Sequence, residues 1–229
     1  MKIAILAGGR GTRLKPLTDR MPKILVHVRG VPFLKILLSS LKSINPRDVY
    51  LLAGYKSDMI VNYYNNPINE VEKLTILHEI SPLGTGGVLE YFSKGVKPIL
   101  VMNGDTCVNI PFKKMLNFHN KRKADVTILS FKGSCNGRGS MVYTESSRRV
   151  RAFSEKDYKG RGVFSTGVYL INPEAIRLLV KRLSIPFSME NDGFPLLVKE
   201  RRVFTYISSG TFFDMGTHET LERIRRGEI

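Results

Sequence analysis

The chain has 229 residues, 42% hydrophobic and 24% charged, ordinary values for a globular protein with a substantial core. No apolar run approaches the roughly 18–20 residues of a membrane span. The N-terminal run Ile3 to Ala7 ends in glycine and arginine, not at a small-residue cleavage site. Cys107 and Cys135 read as reduced thiols, so a cytoplasmic protein is expected. The net charge of +16 points to an acidic partner: nucleic acid, an anionic membrane surface or a phosphorylated small substrate.

KIAILA (2–7) reads as a buried strand, and VPFLKILLSSLKSI (31–44) as a helix with Pro32 in its first turn. DVYLLAG (48–54) is the next strand. SDMIVNYYN (57–65) is a helix that Ser57 would cap, and KLTILHE (73–79) is a strand. LGTGGVLEYFSK (83–94) is a glycine turn feeding a helix. KPILVMNGD (97–105) is a central strand that turns polar only at Asn103, Gly104 and Asp105.

ADVTILSFK (124–132) is a strand, followed by a loop around NGRGS (136–140) and then MVYTE and RRVRAFSEK. GVFSTGVYLINPEAIRLLVKRL gives a strand and a helix opened by Pro173 and Glu174. FTYISSGTFFDMGTHETLERIRR reads as strand, loop and helix, and no appended domain is expected after it. There is no linker or repeat, so one domain over 1–229 is expected. Apolar strands alternating with helices predict an α/β fold, a mainly parallel sheet covered on both faces. Ligands in such sheets bind beyond the C-terminal strand ends, where GGRGTR, LGTGG and NGD all lie.

In the first of these loops Gly8, Gly9 and Gly11 permit close backbone approach and positive φ, so successive N–H groups can face an anion. The loop is neither GxxxxGK[ST] nor GxGxxG, because Leu14 stands at the last glycine of the latter. Arg13 adds a fork suited to phosphate oxygens and Lys23 a mobile point charge. Asp105 ends a buried strand and Asp214 lies between an aromatic pair and a glycine. Two carboxylates plus substrate phosphates are a usual way to hold Mg²⁺. Each feature also has a plainer reading: a tight turn, a capping aspartate or a solvated charge pair. No histidine has metal-ligand spacing, and Cys107 has no histidine partner.

LAGGRGTRLKPLTDRMPKILVHV (6–28) closely resembles the signature of sugar-1-phosphate nucleotidylyltransferases, roughly LAGGxGTRLxPLTxxxPKPxxPV. The chain departs from it at Ile24 and His27, both common proline positions. EISPLGTGGVLE (79–90) resembles that family's nucleobase segment, VMNGDT (101–106) its metal-binding LxGDx motif and VRAFSEKD (150–157) its F-x-EK motif. FSTGVYLI (164–171), PFSMENDGFPLL (186–197) and TFFDMGTHETL (211–221) resemble its later motifs. The resemblance runs along nearly the whole chain.

It implies a Rossmann-like nucleotide-diphospho-sugar transferase fold, with nucleotide bound by 1–110 and sugar by 111–229. Nucleotide contacts are implied for Leu6, Ala7, Gly8, Gly9, Gly11, Thr12, Arg13, Lys23, Glu79, Pro82, Leu83, Gly84, Thr85, Gly86, Asn103 and Gly104. Sugar contacts are implied for Gly139, Glu155, Lys156, Thr166, Gly167 and Glu190, and Mg²⁺ ligation for Asp105 and Asp214. Arg13, Lys23 and Lys156 would carry catalysis, in which a sugar 1-phosphate attacks the α-phosphorus of a nucleoside triphosphate.

The partners implied are a nucleoside triphosphate, with GTP favoured, and a sugar 1-phosphate. The short form with PLGTGG looks most like the heptose 1-phosphate guanylyltransferase branch, although STGVY (165–169) replaces its usual NGGVY. Mannose 1-phosphate guanylyltransferases and uridylyl- or thymidylyl-transferring relatives share the other motifs. The rival readings are a non-catalytic nucleotide sensor and a nucleic-acid binder on the same scaffold. No nucleic-acid module is present, and no membrane partner is expected. A homo-oligomer is compatible with the pattern but not encoded in it.

Overall fold

In the computed structural model the described residues are 1–64, 71–108, 110–209 and 212–228, without the side chains of 135–139 and 155–159. The first strand, β1 (Lys2–Ala7), is followed by a 3-10 turn, Thr12–Leu14, and a short helix α1 (Leu17–Arg20). The small hairpin β2 (His27–Val28) and β3 (Val31–Pro32) leads into α2 (Phe33–Ser40). Helix α2 therefore starts two residues later than expected, because Pro32 pairs with His27 in the hairpin and sits outside the first turn. Its buried residues Phe33, Leu34, Leu37 and Leu38 form one helical stripe.

Strand β4 (Asp48–Ala53), helix α3 (Ser57–Tyr64) and strand β5 (Leu74–His78) come next. Ser57 is already the first helical residue, and its hydroxyl lies 3.2 Å from His78 Nδ1 in place of the anticipated cap. Then come α4 (Gly84–Gly87), β6 (Ile99–Asn103), β7 (Thr106–Val108) and α5 (Phe112–Lys121). Two long strands follow, β8 (Val126–Thr144) and β9 (Val150–Ile171). Helices α6 (Pro173–Arg182) and α7 (Phe194–Glu200), strands β10 (Val203–Ser208) and β11 (Phe212–Asp214), and helix α8 (His218–Arg226) complete the chain.

Together these elements make a mixed parallel and antiparallel sheet protein with helices. The loop expected around NGRGS is absent, since β8 runs straight through it. Its antiparallel ladder with β9 pairs Asn136 with Lys159 and Ser140 with Glu155, giving the backbone polar groups cross-strand partners that a glycine-rich sequence does not advertise. Register shifts at Leu129/Ser130 and around Met141 bend the ladder.

The chain divides into two compact units. The first comprises Met1–Pro82, Met102–Asn109 and Thr211–Ile229, the second Leu83–Val101 and Ile110–Gly210. In the first unit β1, β4 and β5 are parallel and in register, so Ala7, Ala53 and His78 share one edge. A separate core there gathers Leu14, Val26, Val28, Phe33, Met215, Leu221 and Ile224, joining the segment after β1 to α8. In the second unit β10 lies parallel to β8 and β9 antiparallel to it. Phe194 of α7 packs on Phe153 and Tyr169 of β9, with ring centroids 4.6 and 5.1 Å apart. Among the described residues no helix is long and apolar enough to cross a membrane.

Candidate active site

The common edge of β1, β4 and β5 in the first unit carries the glycine loop. Gly8 O accepts the Tyr55 N–H at 3.2 Å, which ties the turn after β1 to the turn after β4. Of Gly8, Gly9 and Gly11 only Gly11 has positive φ, at 62°. The left-handed freedom anticipated for all three is used once, where Gly11 opens the Thr12–Leu14 turn and its carbonyl accepts from Leu14 N–H and the Thr18 hydroxyl. Gly9, Thr12 and Arg13 are exposed, while Leu6, Ala7 and Gly8 are half-buried. Glu79 follows β5 with its N–H on Ala53 O at 2.8 Å, and a Cβ on Gly8 would lie 2.5 Å from its Oε1. Its carboxylate thus lies against the glycine loop. Asn103 ends β6, and the N–H of Gly104 donates to Leu6 O at 2.8 Å, bringing that turn to the end of β1.

This contact brings Asp105 to the loop. Lys23 Nζ lies 2.6 Å from Asp105 Oδ2, with the two side chains 14% and 26% exposed. Asp214 reaches the same place from the far end of the sequence. Strand β11 pairs antiparallel with β7, setting Asp214 opposite Thr106, and Met215 N–H donates to Asp105 O at 2.8 Å. Asp214 Oδ1 accepts the Gly216 N–H at 2.7 Å. The Arg13 guanidinium lies beside Gly216, since a Cβ on that glycine would sit 3.3 Å from Arg13 Nη1. The first unit therefore assembles two carboxylates, an arginine and a lysine below a glycine loop. No group of three or more His, Cys, Asp or Glu residues able to hold a metal occurs among the described residues. The Asp105–Asp214 pair nonetheless suits a hard divalent cation that keeps most of its waters and shares phosphate oxygens.

In the second unit the glycine turn is built against the segment 187–190. Gly84 takes a φ of 77°, and a Cβ there would overlap the carbonyl of Phe187, while one on Gly86 would overlap the Phe187 ring. Gly86 N–H donates to Phe187 O at 3.0 Å and Phe187 N–H to Leu83 O at 3.2 Å. Thr85 Oγ1 donates to Glu190 Oε2 at 2.7 Å and accepts the Met189 N–H at 2.9 Å. Pro82 is exposed, the last residue of the first unit's opening segment.

The expected sugar residues are less gathered. Thr166 is 2% exposed, its hydroxyl donating to Leu129 O at 2.9 Å. Gly167 has a φ of 73°, and its N–H donates to the Ser165 hydroxyl at 3.2 Å. Gly139 lies on β8 and Glu155 and Lys156 on β9, with side chains outside the described residues. Glu190 is held by Thr85 and by the Ser188 hydroxyl at 3.1 Å.

Gly216 falls inside the TFFDMGTHETL stretch, but its contact with Arg13 is not legible there. Two further features escaped the sequence reading altogether. Tyr169 is 1% exposed, and its hydroxyl has no hydrogen-bond partner among the described residues. Burial, reinforced by the nearby Glu190 charge, pushes its phenol well above the usual range. His119 is 2% exposed on α5, and its flanking residues gave no sign that Thr127 and Asn172 would enclose it. Cys107 is a half-buried free thiol that burial pushes up, which suits packing and not nucleophilic attack.

Comparison with known proteins matches residues 2–227 to a family described as nucleotidyl transferase. Mannose-1-phosphate guanylyltransferase 1 of Arabidopsis thaliana is 32% identical over 225 residues, covering 94% of this chain and 61% of that protein. A mannose-1-phosphate guanyltransferase of Yarrowia lipolytica is 30% identical over 224 residues, with the same coverage. The chain thus spans 61% of the length of these curated relatives. Among solved structures, HddC from Yersinia pseudotuberculosis is 27% identical with a TM-score of 0.86, covering 100% of this chain and 99% of its own. A second HddC structure, complexed with GMP-PN, superposes with a TM-score of 0.85.

Proposed function

Because the chain belongs to the nucleotidyl transferase family across residues 2–227, we propose that it transfers a nucleotidyl group from a nucleoside triphosphate to a sugar 1-phosphate, releasing pyrophosphate. The observation that carries this reading is the cluster of Lys23, Asp105, Asp214 and Arg13 under the glycine loop at the strand ends. GTP is the favoured donor, supported by the guanylyltransferase relatives and by the GMP-PN complex of HddC. Mannose 1-phosphate and a heptose 1-phosphate are the favoured acceptors, the first from the relatives' names and the second from the short-form motif resemblance. A cytoplasmic location, with both thiols reduced, goes with such substrates.

The residues divide the work by chemistry. The backbone of Leu6 to Thr12 cradles the triphosphate, and backbone groups around Leu83 to Gly86, other than the Gly86 N–H and Leu83 carbonyl that Phe187 holds, read the base edge. Arg13 neutralises the departing pyrophosphate with its fork of donors. Lys23, once drawn off Asp105 by a bound triphosphate, meets the charge on the oxygens of the pentavalent α-phosphate. Lys156 orients the attacking sugar phosphate, and Glu155 accepts from sugar hydroxyls. Asp105 and Asp214 would hold Mg²⁺, which when bound neutralises phosphate oxygens. No side chain becomes covalent, since alignment and charge neutralisation supply the acceleration. On this reading nucleotide recognition belongs to 1–110 and sugar recognition to 111–229.

The test is pyrophosphate release with Mg²⁺, crossing GTP, UTP, dTTP, CTP and ATP against mannose, glucose and heptose 1-phosphates. Turnover with one pair, abolished by EDTA, is the expected result. Silence across the matrix together with no triphosphate binding would overturn the reading.

A further inference from the structure

We propose that Glu190 is a positioning residue for the base-reading turn, and that through Thr85 it sets which nucleobase the turn accepts. This inference rests on the function proposed above, and it departs from the sugar contact that the sequence motif implied for Glu190.

The assignment follows from counting donors and acceptors. A threonine hydroxyl has one proton to give and lone pairs to receive with. At Thr85 the proton goes to Glu190 Oε2 at 2.7 Å, while the Met189 N–H arrives at 2.9 Å. The Ser188 hydroxyl is placed in the same way. It accepts the N–H groups of Glu190 and Asn191 at 3.2 and 3.1 Å and donates to the same Oε2 at 3.1 Å. Two hydroxyl protons therefore converge on one carboxylate oxygen. Charge-assisted bonds of this kind are roughly twice as strong as neutral ones.

The other side of the turn is fixed just as closely. Gly84 and Gly86 leave no space for a Cβ against Phe187, and Gly86 N–H and Leu83 O are both bonded to the Phe187 backbone. Residues 187–190 thus grip the turn by backbone on one flank and by the Thr85–Glu190 bond on the other. A turn that reads a base edge with backbone amides discriminates only as well as those amides are aimed. Glu190 is the group that sets that aim, and its Oε2 is engaged in doing so.

The experiment compares the intact chain with Thr85→Val, Glu190→Gln, Glu190→Ala and the double variant Thr85→Val/Glu190→Ala. Amide hydrogen exchange of residues 83–88 is read in the ligand-free protein. Dissociation constants for GTP and UTP and the KM for the productive sugar 1-phosphate are read beside it. We expect faster exchange confined to the turn in Thr85→Val and Glu190→Ala, and GTP binding weakened by about tenfold in each. We also expect a narrowed GTP-to-UTP ratio, a double variant no worse than the poorer single one, partial rescue by Glu190→Gln and a sugar KM within about twofold. Unchanged exchange at the turn, or a raised sugar KM with unchanged GTP affinity, overturns the inference alone. Failure of the intact chain to bind any triphosphate overturns the functional reading as well.

Discussion

Lys23 Nζ and Asp105 Oδ2 stand 2.6 Å apart although 82 residues separate them in sequence. The pair forms where the turn after β6 meets the end of β1 through the Gly104 N–H bond to Leu6 O. Both side chains are largely shielded, so solvent and salt screen the contact less than they screen a surface ion pair. The lysine ammonium takes the carboxylate oxygen that a divalent cation would use, so the two cations would compete for it.

Replacing the lysine separates these roles. Lys23→Met is expected to bind Mn²⁺ severalfold more tightly in the nucleotide-free protein, while turnover falls by roughly 10²–10³. Asp105→Asn is expected to lose Mn²⁺ binding. Electron paramagnetic titration of free Mn²⁺ beside a turnover assay gives both numbers. Equal Mn²⁺ affinity in Lys23→Met and the parent would rule out the competition.

Gly216 tests the other carboxylate. A Cβ at this position would lie 2.5 Å from Asp214 Oδ1 and 3.3 Å from Arg13 Nη1. Gly216→Ala must therefore turn the Asp214 carboxylate away and break its 2.7 Å bond to the Gly216 N–H. Divalent-cation affinity is expected to fall by roughly tenfold or more, the usual effect of losing a group that orients a ligand. The melting temperature should move by only a few degrees, since no core side chain is displaced. A variant with parental Mn²⁺ affinity would remove Asp214 from the cation site.

The first unit was legible because its signals are local. The run 2–7, its glycine loop and the strand ending in NGD each declare themselves within ten residues, and parallel sheets place ligands beyond such ends. The neighbourhood of Asp105 and Asp214 was suspected from motif resemblance, but its cause is the short antiparallel pairing of β7 with β11, which no local pattern encodes. NGRGS looked like a loop because glycine and asparagine favour turns, whereas the β9 ladder overrides that preference. The Thr85–Glu190 bond spans 105 residues and depends on how two turns interlock, so sequence could give Glu190 a motif but not a partner. Part of the excess basic charge also has a local account. Arg223, Arg225 and Arg226 occupy the last turn of α8, where cations oppose the helix dipole, and Arg225 also bonds the His27 carbonyl.

The buried His119 makes stability depend on pH. Asn172 Nδ2 donates to Ala124 O, so Asn172 Oδ1 faces His119 Nε2 as an acceptor at 3.1 Å, and Thr127 Oγ1 lies 2.8 Å from Nδ1. Both ring nitrogens are satisfied by a neutral imidazole with its proton on Nε2. Burial pulls its pKa below the ordinary 6.5 and outweighs the opposing effects of Asn172 and Asp125. With the folded value depressed, the unfolded chain binds the extra proton first. The contribution is therefore fully present above about pH 6.5 and declines as pH falls towards the folded value. His119→Gln should flatten the fall in melting temperature between about pH 7 and pH 5. Parallel curves for variant and parent would show that another group governs the acid limb.

Helix α8 begins immediately after the Asp214–Gly216 corner, so its first turn anchors part of the site. Thr217 Oγ1 accepts the Thr220 N–H at 3.2 Å, and Thr220 Oγ1 accepts the Thr217 N–H at 3.1 Å, a reciprocal capping box. Behind it Leu221 and Ile224 enter the core that holds Met215 and Leu14. Loss of such a cap costs about 1 kcal/mol. For a chain of this size that corresponds to a drop of roughly 2–4 °C in melting temperature. Thr217→Ala should show that drop, and Thr217→Ser, which keeps the oxygen, should recover most of it. Because the cap braces the backbone next to Asp214, Thr217→Ala should also weaken Mn²⁺ binding, though less than Gly216→Ala does. Calorimetry paired with the Mn²⁺ titration separates the two effects, and an unchanged melting temperature would show that packing of Leu221 and Ile224 holds the helix without its cap.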